Sequence, residues 1–290
     1  MPILDFPVQR DQPVMLRRFL RQDAAVSAAL LAKLKALPDG ITVCGMPRRV
    51  IDPVLPGETV RLSWQERCEF PPNTEITVPV AAETADYAVF DKPVNLPVHP
   101  SMLHHSDTLI NCFAAVYADC GFHAVNRLDR NTSGLCLVAK HIYAAGRLTG
   151  HVQKRYYALI PRGLSGSGTV DAPIARTEGS VITRCVRPDG QRAVTHYRIV
   201  ADYPACSLAE LIPETGRTHQ IRIHMAYLGY PLLGDEIYGG DCSLLSAHAL
   251  HCGCLRFPDP RTGADTEITC PLRPDMAALC RDHNITEAQT

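Results

Sequence analysis

The chain has 290 residues, 46% of them hydrophobic and 20% charged, with a formal net charge of −1. This is the make-up of a folded globular protein; it excludes a disordered or fibrous chain and gives no overall attraction for a polyanion. Twelve scattered cysteines, several in apolar runs such as Leu135-Cys136-Leu137, point to reduced thiols acting as small hydrophobes in a cytoplasmic protein. No apolar run approaches the roughly 20 residues that a membrane span needs, and Met1 to Asp5 lacks the basic start and apolar stretch of a targeting peptide.

In chain order, residues 14–64 read as one compact unit. Leu16, Phe19 and Leu20 recur at helical spacing, and a second helix runs from Ser27 to Leu37, stopping before Pro38-Asp39-Gly40. Ile41-Thr42-Val43, a turn at Gly45, and Val60-Arg61-Leu62 after Pro56-Gly57 follow as short strands. Residues 65–84 read as a linker, with Thr74 to Val80 as its one candidate strand. Tyr87-Ala88-Val89-Phe90 then opens a third unit, residues 85–279. Asp107 is placed to cap a helix running through Tyr117, with Leu109, Phe113 and Val116 on one face and Gly121 beyond its end. Leu135 to Ala139, Val194 to Val200 and Cys206 to Ile212 are strands, and Gly163 to Gly168 is a flexible loop. Irregular alternation of strands with few helices predicts an α+β fold, not a regular βαβ array.

The charge is segregated. Residues 14–50 carry seven Lys/Arg (among them Arg17, Arg18 and Lys33) against Asp23 and Asp39, and residues 131–170 carry five with no acid. Local patches, not net charge, attract phosphates. Either run alone would read as a solvated face.

The sharpest segment is Asn126-Arg127-Leu128-Asp129-Arg130-Asn131-Thr132-Ser133-Gly134-Leu135, a polar turn entering a buried strand. It sets one carboxylate between two guanidiniums, which favours the ionised form of Asp129. A positioned carboxylate acts as a nucleophile or as a base. An isolated Arg-Leu-Asp-Arg would read as a surface aspartate paired with its neighbours.

The segment is not isolated. It resembles the HRLDRxTSGL stretch of the RluA family of pseudouridine synthases. Asp91-Lys92-Pro93-Val94-Asn95-Leu96-Pro97-Val98-His99-Pro100 is similar to that family's DKPxGLxVHP. Glu214 to His224, with Leu228-Gly229-Tyr230-Pro231-Leu232-Leu233-Gly234-Asp235 and Tyr238-Gly239, is similar to its ETGRTHQ(I/L)R(V/I)H…LGxPLLGDxxYG block. Leu250-His251, Leu255, Phe257 and Pro260 resemble its final strand. The likeness spans roughly residues 85–272.

The resemblance implies an α+β pseudouridine-synthase fold, with a mixed, largely antiparallel central sheet and flanking helices. The preceding unit, basic helices and then a small β ribbon, resembles the alpha-L RNA-binding module named after a ribosomal small-subunit protein. It further implies isomerisation of selected uridines in structured ribosomal or transfer RNA, with no cofactor and no metal, by a monomer. Asp129 would start the reaction, by attacking the sugar or by removing a ribose proton. Tyr156, from the KxYxA-like Lys154-Arg155-Tyr156-Tyr157-Ala158, would stack on the target uracil and lie near the ring proton that must leave, with Tyr157 on the opposite strand face. Arg222 would hold Asp129 with a two-pronged contact. Arg217 would bind phosphate where a turn enters a helix, Arg127 would fill the gap left by the extruded base, and Arg130, Arg17, Arg18 and Lys33 would contact RNA.

Two positions depart from the family pattern. Asn126 stands where a histidine is usual, which removes a titratable group. Asn95 stands where a glycine is usual; asparagine tolerates left-handed backbone angles. His248, His251, Cys252 and Cys254 lack the paired spacing of a zinc site. Two rivals are an inactive RNA-binding protein on the same fold, and a glycosidase pairing Asp129 with Glu214.

Overall fold

The computed structural model describes residues 1–101 and 104–281. Near the N-terminus, a four-stranded antiparallel sheet runs in the order Ile3–Pro7, Thr59–Ser63, Ile41–Val43, Met46–Pro47. The first strand lies upstream of residue 14 and cannot be read locally, because its partner is more than fifty residues away. Two helices cover the sheet, Leu16–Gln22 and Ala28–Lys35. Their Leu16, Phe19, Leu20, Leu30, Leu31 and Leu34 pack on Leu4, Ile41, Val43, Val60 and Leu62. Ser27 caps the second helix, its side chain accepting from Leu30 N at 3.1 Å, and that helix ends at Lys35, before the expected Leu37. The hairpin between Ile41–Val43 and Met46–Pro47 turns on Cys44 and Gly45, both with positive φ (48° and 84°), the geometry that matches strand twist in two-residue turns.

The segment expected to be a linker is pinned down. Glu66 accepts from Trp64 Nε1 at 2.8 Å and from Ile142 N at 3.2 Å, and sits 2.5 Å from His123 Nε2. Asn111 Nδ2 donates to Pro71 O at 2.8 Å. The strand expected over Thr74 to Val80 is absent: Asn73 Oδ1 accepts from Glu75 N and Ile76 N, a turn that competes with extended pairing. The strand here is Val80–Glu83. Tyr143, from the helix Ile142–Leu148, belongs to the N-terminal core: its hydroxyl donates to Ala24 O at 3.1 Å and its ring meets Phe6 edge-on.

The second core is built on a ten-stranded sheet. Its main path runs Ser167–Asp171, Val194–Asp202, Ser207–Pro213, Gln153–Ile160, Leu250–Pro258, Ser133–Ala139, Tyr87–Lys92, Val80–Glu83. All neighbours are antiparallel except Ser133–Ala139 against Leu250–Pro258. The expected α+β class with a mostly antiparallel sheet is therefore what the chain forms. Ser133–Ala139 is buried at every position, as an all-apolar run in the middle of a sheet must be. The helix Leu109–Val116 begins one residue later than a cap at Asp107 would place it. Thr108, fully buried, is the cap and shares Asn111 Oδ1 through its hydroxyl and amide. Asp107 instead pairs with His104 at 2.6 Å. The Gly163 to Gly168 loop is shorter than expected, since the Ser167–Asp171 strand begins inside it. All twelve cysteines are free thiols. Among the described residues no helix is long and apolar enough to cross a membrane.

Candidate active site

Asp129 lies on the loop between the short strand His123–Ala124 and the buried strand Ser133–Ala139. Three devices fix that loop. Asn126, buried, uses its side chain as a surrogate peptide: Nδ2 donates to Leu135 O at 3.0 Å and Oδ1 accepts from Leu137 N at 2.7 Å. Lys92 is fully buried, and its Nζ donates to Pro93 O, Leu96 O and Arg130 O at 2.8, 2.9 and 3.1 Å. Burial pulls this ammonium down to about 8. Gly134, at φ 99°, is the only residue type that fits where a Cβ would lie 2.4 Å from Cys252 O. Asn95 has φ 61°, the left-handed angle its type allows, and its Oδ1 accepts from Arg130 Nε at 2.8 Å. A glycine could not supply that contact.

Arg222 comes from the helix Gln220–Tyr227. Its fork is spent on Asp235, with Nε and Nη2 each 2.7 Å from a carboxylate oxygen. Only Nη1 reaches Asp129, donating to Oδ2 at 3.4 Å. The expected two-pronged contact with Asp129 is thus a single one, because Asp235, 1% exposed, holds the planar edge. Gly234 permits this approach: at φ 73°, a Cβ there would sit 2.5 Å from Ala247 O. Burial works against the charged guanidinium, but the bonds to Asp235 outweigh it and Arg222 stays above its ordinary range.

Tyr156, on the central strand Gln153–Ile160, is buried and lines the same cavity as Asp129 and Arg222. Burial pushes its hydroxyl well above the usual phenol range, with the neighbouring Cys252 and Asp129 acting in the same direction. Tyr157 packs on the opposite side of the sheet with Leu159 and Cys206, as strand alternation requires. His219 enters the cavity beside them, its Nε2 3.9 Å from Asp129 Oδ2 and its Nδ1 2.8 Å from the Tyr238 hydroxyl. The carboxylate, 29% exposed, has both contacts on Oδ2 and none on Oδ1 among the described residues. The result is a cavity of about 100 Å³ with one open carboxylate oxygen, an aromatic wall and cations at its rim.

The RNA pseudouridylate synthase family profile matches residues 86–227. An uncharacterized RNA pseudouridine synthase of Bacillus subtilis (strain 168), YjbO, is 40% identical over 219 residues, covering 72% of this chain and 77% of that protein. Ribosomal large subunit pseudouridine synthase D of Escherichia coli (strain K12) is 34% identical over 262 residues, 82% of this chain and 79% of that one. The chain belongs to the RluA family of RNA pseudouridine synthases. Among solved structures, human RNA Pseudouridylate Synthase Domain Containing 1 superposes with a TM-score of 0.59 at 26% identity, covering 72% of the synthase and 90% of that chain.

The remaining candidates divide by position. Arg127 is exposed, and with Arg217 and Lys154 it lines both the Asp129 cavity and a wider recess beside it, about 450 Å³. Arg130 lines only that recess and is tied to Asn95. Arg217 Nε donates to Arg192 O at 3.1 Å, and the helix after it starts only at Gln220, so its amides do not form the expected helix-end site; Arg217 N donates to Gln220 Oε1. Arg17, Arg18 and Lys33 are exposed on the N-terminal unit and do not line the cavity of the synthase. The second basic run largely dissolves: Lys140 is buried against Glu83 and Tyr117, Arg147 bonds Pro260 O, and Arg155 pairs with Glu210. Only Lys154 of that run reaches the cavity. Glu214 is paired with Arg192 and His196 outside it, so it does not face Asp129. His248 accepts or donates at Thr132 Oγ1, and His251 at Ser133 Oγ and Cys270 Sγ. Asp235, His219 and Tyr238 carry no role in the sequence reading, although all three stand in the block that carries the resemblance.

Proposed function

We propose that the synthase isomerises uridines in structured RNA through Asp129, without a cofactor. The observation that carries this reading is the carboxylate with one anchored and one open oxygen, facing a cavity rimmed by Arg127, Lys154 and Arg217. Phosphates are held at the rim by these cations, and chemistry on a stacked base requires extruding it, with Arg127 entering the gap. Tyr156, buried in the cavity wall, offers its ring face to the uracil. Oδ1 of Asp129 acts on the ribose. The carbon–nitrogen glycosidic bond breaks, the ring turns, a bond forms from the sugar to carbon-5, and the proton of carbon-5 leaves. Large-subunit ribosomal RNA is the first substrate to test, because the Escherichia coli relative is named for it; transfer RNA is the second. The direct test is tritium release from RNA labelled at uracil carbon-5. The wild type should release label, and Asp129→Asn should release none above background; release by the variant would overturn the assignment.

The N-terminal unit contributes RNA affinity in this reading. Arg48 and Arg49 are paired with Glu58 and Asp52, while Arg17, Arg18 and Lys33 make no ion pair among the described residues. Deleting the unit would strip Tyr143 and Glu66 of their partners, so charge reversal is the cleaner probe. Arg17→Glu, Arg18→Glu and Lys33→Glu together should weaken RNA binding and flatten its salt dependence, by roughly 0.7–0.9 in log–log slope for each phosphate that is no longer neutralised. The single-turnover rate at saturating enzyme should not change. An unaltered slope would remove the unit from the interface.

A further inference from the structure

Both contacts to Asp129 converge on the same oxygen. Arg222 Nη1 donates to Oδ2 at 3.4 Å, and His219 Nε2 faces Oδ2 at 3.9 Å. His219 does not reach this place by default. It has φ 57°, a left-handed angle that non-glycine residues rarely adopt, and it precedes the first residue of the Gln220–Tyr227 helix. Its ring is set edge-on against Tyr238, centroids 5.7 Å apart, and the Tyr238 ring in turn lies 5.0 Å from the Arg222 guanidinium carbon. The three side chains form one wall behind the carboxylate.

The hydrogen bonds of Tyr238 fix the protonation of that wall. Arg184 N donates to the Tyr238 hydroxyl oxygen at 3.2 Å. The phenolic proton is then free to point at the remaining partner, His219 Nδ1, at 2.8 Å. A neutral imidazole that accepts at Nδ1 carries its proton on Nε2, the nitrogen facing Asp129. Burial holds His219 below the usual histidine range, against the opposing pull of Asp129 and with Arg222 acting in the same direction as burial; Asp235 and Arg184 are the other charges around it.

We infer that His219, with its tautomer set by Tyr238, is a positioning residue that presents its Nε2 proton toward Oδ2 of Asp129 beside Arg222 and thereby reserves Oδ1 for the nucleotide. The inference rests on the reading that Asp129 initiates the reaction. Neither residue touches substrate in it; both act through the carboxylate.

The test uses the full chain and the tritium-release assay. His219→Asn keeps a residue that tolerates the left-handed angle but cannot carry a proton to the same point. It should lower kcat by about 10- to 100-fold, the scale of a misplaced reacting group, with KM within about twofold and the melting temperature unchanged. Tyr238→Phe keeps the ring contacts and leaves His219 in place; it should lower kcat by several-fold. The nitrogen-15 resonances of His219 should report proton on Nε2 in the wild type and a mixture of tautomers in Tyr238→Phe. A wild-type kcat in His219→Asn, or a raised KM with kcat preserved, overturns the inference, as does a proton found on Nδ1 in the wild type. Loss of fold in His219→Asn leaves the Tyr238→Phe pair of measurements to decide, and no change in either of those overturns it. Activity in Asp129→Asn would instead sink the functional reading itself, so the two failures are told apart.

Discussion

Among the described residues two aspartates each meet one arginine and one histidine, and they differ in how their oxygens are used. Asp86 is 4% exposed and both oxygens are taken: Oδ1 lies 2.8 Å from His141 Nε2, and Oδ2 accepts from Arg261 Nε at 2.5 Å. His141 is also filled, since its Nδ1 accepts from Ala144 N and so caps the helix Ile142–Leu148. Burial pushes the Asp86 carboxyl up, but the two hydrogen bonds outweigh it and the net shift is down. Asp129 is 29% exposed, its partners are longer at 3.4 and 3.9 Å, and both sit on one oxygen. Composition of the neighbourhood does not separate a fastener from a reagent. In the proposed reaction the separating feature is whether an oxygen is left over and faces open space.

The strongest way to break this contrast is to neutralise each aspartate in turn. Asp129→Asn should cut product formation by more than about 10³-fold, as loss of a reacting group does, while the unfolding midpoint stays near the wild type. Asp86→Asn should do the reverse. Breaking a buried pair costs about 3–5 kcal/mol, and the half-exposed Arg261 places this case near the lower end, with rate per folded molecule within about twofold. Urea melts and single-turnover rates on both variants decide the matter; equal effects on activity would erase the distinction.

A third carboxylate tests the fastener role by pH. Glu66 joins the N-terminal unit to the catalytic one through Trp64, His123 and Ile142. Burial raises its pKa, but the bonds from His123, Trp64 and Ile142 prevail and bring it from 4.5 down to about 2. A carboxyl depressed in the folded state adds stability that is complete above about pH 4.5 and is lost as pH falls toward 2. By linkage this amounts to about 3 kcal/mol. Glu66→Gln should therefore be less stable near neutral pH, with the two proteins converging at the acid end. Parallel curves over the whole range would show that the charge of Glu66 contributes nothing to the junction.

The smallest expected effect belongs to Tyr156. Burial holds the Tyr156 phenol well above its usual range, so it keeps its proton and does not serve as a base, and Tyr156→Phe should keep kcat within about threefold. A drop near that of Asp129→Asn would give the hydroxyl a chemical role that its raised pKa argues against.

Much of the cavity is legible because its residues fall in runs whose order is itself informative. Arg127-Leu128-Asp129, Tyr156 and Arg222 stand out in the sequence and do converge, while Arg130 of the same run faces the neighbouring recess. The alternation that sets Tyr156 and Tyr157 on opposite faces is a local rule, and the fold obeys it. What escapes depends on partners far away in the chain. The fork of Arg222 goes to Asp235, thirteen residues on, and no pattern within the helix could show that Asp129 would receive only the third nitrogen. Asn126 reads in sequence as a missing titratable group. The fold shows a side chain completing the hydrogen bonding of the next strand, a task that needs an amide and not a charge. The second basic run misleads because a lysine or arginine in sequence carries no sign of whether it will be buried against a tyrosine, as Lys140 is, or left facing solvent.

Lys92 gives the catalytic loop a built-in reporter. Its ammonium is sealed from solvent beneath the loop, and its three carbonyl acceptors join the backbone of residues 93–96 to that of Arg130. An amine in that setting reacts with an acylating reagent only when both stretches part, whatever its intrinsic nucleophilicity. The rate at which Lys92 takes up label, set against the exposed Lys33 and Lys35, therefore reads out the opening frequency of the segment that holds Asp129.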